Sequence, residues 1–478
     1  MAPIVIYHNE YSPLSSSVVL LAKYLKVDFE VKKIDLLAKE QLQDWYIKLN
    51  PQHTVPTLVD NGFVVTESKA ILAYLANISP KGSSLYPTDP KKRSVVDSRL
   101  YFEATTLFPR GAQLGRPVIY DGKTEFDQKA VDNVLEALGW LNDMLKGKRF
   151  VAGDELSIAD FAFVCNVLNF YNLNAPMDRF PEIKRWFQQF KSFDGFEEVN
   201  QGSKGLAQIL KKFLSPSLMN FDSTLARLSS VSDFISNQFY LIRTNKFQLG
   251  FDFASSKSYS KMAPITIYHN EMSPLSRSVI FLAKYLKINI EIKRIDLVAK
   301  EQLQDWYIKI NPQHSVPTLV DNGFILTESK AILGYLINSV PNGASLYSTD
   351  KKKRALIDSR LYFDATTLFP RSGVLVRSVM TGATEFDATI KQNILEALGY
   401  LNGFLKGNKW VTGSDLTIAD FALFSTVAMY FYLNAPMDQY PEIKRWYEQF
   451  KSFDGYQDNV QGAQGLANFL KSKVTKGF

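Results

Sequence analysis

NPQHTVPTLVDNG, residues 50–62, returns as NPQHSVPTLVDNG at 311–323. Asn-Gly between short apolar runs is the strongest local signal for a two-residue hairpin. Each stretch is therefore read as a strand, a turn at Asp60-Asn61-Gly62 or Asp321-Asn322-Gly323, and a second strand. In the first copy these strands are 57–59 and 63–65. Upstream, 3–8 alternates and is rich in Ile and Val, which predicts another strand. Residues 12–24 carry apolar side chains at helical spacing behind Ser12 and Pro13, a helix start. A second strand over 28–34 and a short helix over 42–48 follow. Beyond the hairpin, 68–75 reads as a third helix. The order is βαβ, α, ββα, a small mixed sheet of about 80 residues with helices against it.

The rest of the unit is helical. Residues 86–90 (YPTDP) break the chain, and amphipathic helices are expected over 90–107 and 126–145. Ser157-Ile158-Ala159-Asp160 resembles a capping box with Asp in place of Glu or Gln, opening an apolar helix over 161–170. Thr417 and Asp420 keep that chemistry in the second copy. Cys165, the single cysteine, sits inside the apolar helix and reads as buried filler; Ser425 replaces it in the second copy.

The repetition is not confined to the hairpin. MAPIVIYHNEYSPLSSS at Met1 returns as MAPITIYHNEMSPLSRS at Met262, an offset of 261 that becomes 260 after one residue is lost near Tyr120. Solenoid repeats run to about 50 residues, so this spacing means two copies of a complete protein. Between them, 214–261 has no counterpart elsewhere in the chain. It has one proline and one glycine, unlike stiff or flexible linkers, and is rich in Phe, Ser, Leu and Asn. Two readings stand: two adjacent genes joined through translated non-coding DNA, which we favour, or a real fusion with an unstructured linker.

Of the 478 residues, 46% are hydrophobic and 22% charged, the profile of a soluble globular protein. Nothing approaches a transmembrane span, and the first residues lack the charged and apolar regions of a secretory signal. One cysteine allows no intrachain disulfide and no cysteine metal cluster, and points to the cytoplasm. The net charge of +7 divides into +1, +2 and +4 over copy, insert and copy, with no basic block, so neither a nucleic-acid nor a membrane partner is expected. No phosphate-binding glycine motif is present, and four histidines over two copies offer no metal site.

The joint pattern is specific: Ser-Pro at the first helix, HTVP before the hairpin, TESKAI at the third helix, and S-x-A-D in the helical part. A chain carrying it resembles the cytosolic glutathione transferases, with the insect epsilon and delta classes the nearest look. The resemblance covers both copies and excludes the insert. It implies an α/β plus all-α fold: a thioredoxin-like N-terminal domain and an all-helical C-terminal domain, duplicated in tandem. The expected domains are 1–80 and 88–213, then 262–341 and 349–478, with 214–261 as insert.

The implied activity is conjugation of glutathione to hydrophobic electrophiles, as in detoxification. Glutathione is a co-substrate, and no other cofactor is expected. A free thiol is only a few per cent thiolate at pH 7, so the enzyme must favour the charged form. Ser12 and Ser273 match the family's catalytic serine, acting as hydrogen-bond donors to sulfur at a helix N-terminus. The residue-level alternative is that they only cap the helix. Val55-Pro56 and Val316-Pro317 match the cis-proline element whose backbone pairs with the cysteinyl part of glutathione. His53 and His314 are implied at the glycyl carboxylate. Gln41 and Gln302 stand where epsilon enzymes often carry a second histidine. Glu67 and Glu328 would pair with the γ-glutamyl ammonium, and Ser68 and Ser329, at helix starts, with its carboxylate. Phe108 and Arg110, with Phe369 and Arg371, match the electrophile-pocket stretch, after which the copies diverge.

The family usually has Arg a few residues after the serine; copy two has Arg277 and copy one Ser16, which makes copy two the expected better enzyme. A weakly catalytic or non-catalytic ligand-binding protein of the same fold is the alternative function. A thiol–disulfide oxidoreductase is excluded, since neither first helix has a cysteine. The family's dimer helices correspond to 95–108 and 356–369, so a homodimer or pairing of the two copies within one chain is expected. A tryptic peptide from within 229–243 tests the insert: its absence from native extract is the expected result, and its detection would establish the fusion.

Overall fold

The computed structural model describes residues 3–215 and 264–478. In the first copy, β1 (Ile4–His8), α1 (Pro13–Leu25), β2 (Phe29–Lys33), α2 (Asp44–Leu49), β3 (Thr57–Asp60), β4 (Phe63–Thr66) and α3 (Ser68–Ile78) follow in that order. The sheet runs β2-β1-β3-β4, with β1 parallel to β2 and antiparallel to β3. Asn61 and Gly62 both hold positive φ, 48° and 79°, the pair of left-handed residues that the tightest hairpin turn requires. α1 packs against α3. Tyr46 of α2 sets its ring edge-on to Tyr7, 5.9 Å between centroids, and donates its hydroxyl to Thr54 O at 2.7 Å.

The second copy repeats this with β5 (Ile265–His269), α11 (Pro274–Tyr285), β6 (Ile290–Arg294), α12 (Asp305–Ile310), β7 (Thr318–Asp321), β8 (Phe324–Thr327) and α13 (Ser329–Leu336). The helical part of copy one comprises α4 (Gly82–Leu85), α5 (Pro90–Phe102), α6 (Phe108–Tyr120), α7 (Gln128–Met144), α8 (Ile158–Asn172), α9 (Pro181–Gln188) and α10 (Phe196–Phe213). The counterparts of α5–α10 in copy two are α14 (Lys351–Phe363), α15 (Phe369–Met380), α16 (Ala388–Leu405), α17 (Ile418–Tyr432), α18 (Pro441–Glu448) and α19 (Tyr456–Lys473), while a 3₁₀ turn, Pro341–Leu346, stands in place of α4.

Three expectations shift. The helix expected over 90–107 does not stop there: a π turn, Glu103–Leu107, carries it into α6. Pro109 has no N–H for the ordinary ladder, and the wider turn lets the helix absorb it rather than break. The short helix expected from 42 starts at Asp44, preceded by a 3₁₀ turn, Glu40–Leu42, that contains Gln41. The packed part of copy one also continues past 213. Leu214 is buried, and Ser215 N donates to Thr124 O at 2.9 Å. Residues 216–261 of the insert lie outside the described residues.

The capping box forms in both copies. Asp160 is wholly buried and accepts from Ser157 N, Ser157 Oγ, Val151 N and Trp186 Nε1, all between 2.8 and 2.9 Å. One carboxylate thus ties the start of α8 to the preceding loop and to α9. Arg277 ties the two domains of copy two. It is buried on α11, and donates to Glu271 O, Met272 O and, across the domain boundary, Ser425 O of α17 at 2.8 Å. In copy one Ser16 reaches only Glu10 O, at 3.5 Å, and Cys165 stands opposite. The Arg277/Ser16 difference is therefore one of domain attachment.

The copies face each other. Tyr101 of α5 stacks on Tyr362 of α14, 4.3 Å between centroids. Around this stack, Thr66 and Ser359 share a hydrogen bond of 2.9 Å, and Ser98 and Thr327 one of 3.3 Å. Lys91 lies over Phe324 and Lys352 over Phe63. Tyr101, Ser98, Tyr362 and Ser359 lie on the helices 95–108 and 356–369 singled out above.

Asp160→Ala strands several buried donors at once and is expected to cost roughly 3–5 kcal/mol; chemical denaturation of the full chain measures it. Arg277→Ser, which gives copy two the residue of copy one, removes its hydrogen bond across the domain boundary to Ser425. It is expected to lower the unfolding midpoint of copy two while leaving that of copy one in place, read by calorimetry.

Candidate functional site

The strand register gathers most of the expected site at one end of each sheet. β1 and β3 are antiparallel, with Tyr7 opposite Thr57. The chain leaving β1 toward Ser12 therefore lies beside the chain entering β3 from Val55-Pro56. Thr57 is in turn opposite Thr66, which puts Glu67 and Ser68 beside the same loop. β2 is parallel to β1 and ends at this edge as well, so the turn with Gln41 follows from there. Asn9 closes that corner by donating to Ile34 O at 2.9 Å. α10 presses on it through Gly202, where a Cβ would lie 2.2 Å from Glu10 O. The same pairings recur in copy two, with Tyr268 opposite Thr318 and Thr318 opposite Thr327.

Ser12 is the N-cap of α1. Its Oγ accepts from Ser15 N at 3.3 Å, and Ser273 accepts from Ser276 N at the same distance. Capping uses an oxygen lone pair and leaves the hydroxyl proton to donate elsewhere. Both serines are half-buried. The Val55-Pro56 and Val316-Pro317 bonds are cis.

Glu67 caps α3 with φ at 70°, and Glu328 caps α13 with φ at 71°. A glutamate in the left-handed region is uncommon and costs of order 1 kcal/mol. It recurs because the helix must start where the strand ends. Gln52 Nε2 donates to Glu67 Oε1 at 3.4 Å, and Thr366 of the other copy donates to Oε2 at 3.3 Å. Burial pushes the Glu67 carboxyl up. Burial also pushes Glu328 up, to about 7, against the opposing pull of Lys330 and of Arg99 from the other copy. Behind the helix starts, Lys69 pairs with Glu103 and Lys330 with Asp364, both pairs buried.

Gln41 and Gln302 each bury a side-chain oxygen with no partner. His8 and His269 end the first strands; burial pushes both down to about 4, which keeps them neutral. Cys165 is buried, and burial raises its thiol far above neutrality, as suits a filler side chain. No group of three or more His, Cys, Asp or Glu side chains with metal-binding spacing occurs among the described residues. Among those same residues no helix is long and apolar enough to cross a membrane.

Phe108 begins α6, with Lys69 Nζ 5.9 Å from its ring centre, so it stands near the start of α3. Arg110 turns to α7: it donates to Asn133 O at 2.6 Å and Glu136 at 2.8 Å, and lies over the Trp140 ring. Phe369 repeats the first contact with Lys330, and Arg371 bonds Glu396 at 2.7 Å. Trp140 in turn meets His314 of the other copy, ring centres 5.7 Å apart. His53 meets Tyr400 of the other copy, whose hydroxyl lies 3.0 Å from Nε2. A cavity of about 240 Å³ opens beside the Trp140 contact, lined by Arg99 and Met144 from one copy and Gln313 and Thr327 from the other.

Sequence reasoning did not single out Gln52, Thr366, Glu396, Trp140 or Tyr400. Gln52 lies inside the quoted NPQH motif. The pair Trp140/Tyr400 is marked by being the one difference within a shared stretch, EALGWLN and EALGYLN. The others join the site across the two copies, which no local pattern shows.

The glutathione S-transferase N-terminal domain family matches residues 2–77 and 263–338, and the C-terminal domain family 99–193 and 373–453. Glutathione S-transferase D6 of Drosophila melanogaster is 35% identical over 45% of this chain and 98% of its own length. Glutathione S-transferase D7 of the same fly is 37% identical over 43% of this chain and 93% of its own length. An epsilon-class glutathione S-transferase of the housefly, Musca domestica, is 38% identical over 44% of this chain and 98% of its own, with a TM-score of 0.43. The N-terminal and C-terminal domains, each matched twice in alternation along the chain, establish that this chain belongs to the glutathione S-transferase family as a tandem duplicate.

Proposed function

We propose that each copy conjugates glutathione to hydrophobic electrophiles, using a serine hydroxyl to hold the glutathione sulfur as thiolate. The observation that carries this is the state of Ser12 and Ser273: each oxygen is engaged by a backbone N–H, and each hydroxyl proton is left to give. Lowering a thiol pKa by about two units takes roughly 2.7 kcal/mol of preference for the charged form. One hydrogen bond to a charged group supplies about 1.5–3 kcal/mol, and the positive end of the helix dipole adds to it.

The rest of glutathione follows the sheet end. Val55 and Val316, before the cis prolines, offer their backbone to the cysteinyl unit. Ser68 and Ser329, with the free N–H groups of α3 and α13, take the γ-glutamyl carboxylate, and Glu67 and Glu328 its ammonium. His53 and His314 take the glycyl carboxylate, together with Gln41 and Gln302. The electrophile lies against Phe108 and Phe369 at the starts of α6 and α15. Sequence divergence just beyond those phenylalanines gives the two copies different preferences among electrophiles. The two copies act as a pair within one chain, as their mutual contacts favour, and the single cysteine suits a reducing cytoplasm.

Ser12→Ala and Ser273→Ala each remove one donor and are expected to lower kcat/KM of the affected copy roughly 10- to 100-fold. The double variant should lose conjugation of an aryl halide while still binding glutathione; unchanged rates would contradict the serine role. Glu328 carries the pH dependence. With its carboxyl at about 7 in the folded chain, it binds a proton that the unfolded chain has lost, so its contribution to stability falls as pH rises from about 4.3 to 7. Ammonium binding needs the charged form. Affinity of the second site for S-methylglutathione is therefore expected to rise as pH passes upward through about 7, and Glu328→Gln to flatten that rise; calorimetric titration reads both.

A further inference from the structure

The two histidines expected at the glycyl carboxylate meet different partners. His53 Nε2 lies 3.0 Å from the Tyr400 hydroxyl and 3.8 Å from Glu396 Oε1. Glu396 is held by Arg371 at 2.7 Å, and Tyr400 is pushed up to about 12 by burial and by Glu396 beside it. A phenol next to a carboxylate donates a hydrogen bond to it, keeping its proton, and leaves its oxygen as an acceptor. His53 can then donate Nε2–H to Tyr400. The imidazole is thereby fixed in orientation and in the protonation of that nitrogen, leaving Nδ1 free to face a ligand.

At the equivalent place on the other side stands Trp140. It meets His314 with a ring 5.7 Å away, and an indole has no hydroxyl to offer. Arg110 and Glu136 still pair there, but the arginine lies over Trp140 and their chain of polar contacts ends at that ring.

We propose that Tyr400 is a positioning residue for the glutathione site of the opposite copy. Through His53 it orients the group that receives the glycyl carboxylate, so the first site is completed by the second copy while the second site, facing Trp140, lacks this support. The two glutathione sites of the chain are then inequivalent in ground-state binding. This rests on the glutathione reading of His53 given above.

The test is calorimetric titration of the full chain with S-methylglutathione, which measures binding without turnover. Tyr400→Phe keeps the ring and removes the hydroxyl. It is expected to weaken one of the two sites about three- to tenfold and leave the other unchanged. In a His314→Ala background the same loss should appear; in a His53→Ala background it should vanish, because the residue through which Tyr400 acts is gone. Trp140→Tyr, which installs the hydroxyl opposite His314, should tighten the second site. The proposal is overturned if Tyr400→Phe changes neither site, if it tightens the first (Tyr400 would then be competing for the nitrogen), or if its effect persists without His53. Two intact binding events in a chain that conjugates nothing would sink the enzymatic reading and leave the tyrosine's role standing.

Discussion

A half-buried carboxylate where the two copies meet constrains much of the rest. Glu67 and Glu328 sit at the first turn of α3 and α13, in a backbone conformation glutamate rarely takes, with burial opposing their charge. Such a group is kept only if something compensates it. Gln52 and Thr366 reach Glu67, and Arg360 and Arg99 of the opposite copies lend positive charge to Glu67 and Glu328. The start of the third helix is thus where the sheet and the other copy converge. On the proposed glutathione reading, a change at the inter-copy face acts on binding without touching the serine.

Duplication supplies an internal comparison. Positions that hold the sheet end together barely differ: Asn9 and Asn270, Gly202 and Gly462, Tyr46 and Tyr307 make the same contacts. The differences fall elsewhere. Arg277 against Ser16 changes how the two domains of one copy are attached, Trp140 against Tyr400 what each histidine meets across the pair, and the stretch after Phe108 and Phe369 the surface left for the electrophile. The stronger domain attachment belongs to copy two and the hydrogen-bonded histidine to copy one, so the copies differ at more than the position of Arg277 and Ser16.

Local chemistry made the fold legible. The Asn-Gly hairpin, the Ser-Pro helix start and the S-x-A-D box each act within a few residues, and each appears where the pattern put it. What escaped the sequence depended on distance along the chain. The passage of α5 into α6 through a π turn depends on how the helix accommodates Pro109, and a proline at a predicted boundary looks the same whether the helix ends or bends. Thr366 and Tyr400 reach Glu67 and His53 across about 300 and 350 residues, a separation at which only the folded pair reveals the contact. Gln41 was a candidate from the family pattern, but its buried, unpartnered oxygen emerges only once the 3₁₀ turn is formed.

The central claim is that this one chain holds two glutathione sites, each stabilising a thiolate at a serine-capped helix. Thiolate absorbs in the ultraviolet where thiol does not, so a pH titration of the full chain saturated with glutathione reads the claim directly. The account predicts two bound thiolates per chain, titrating about two units below the free thiol pKa of roughly 8.5. Bound glutathione that ionises together with the free thiol would contradict it.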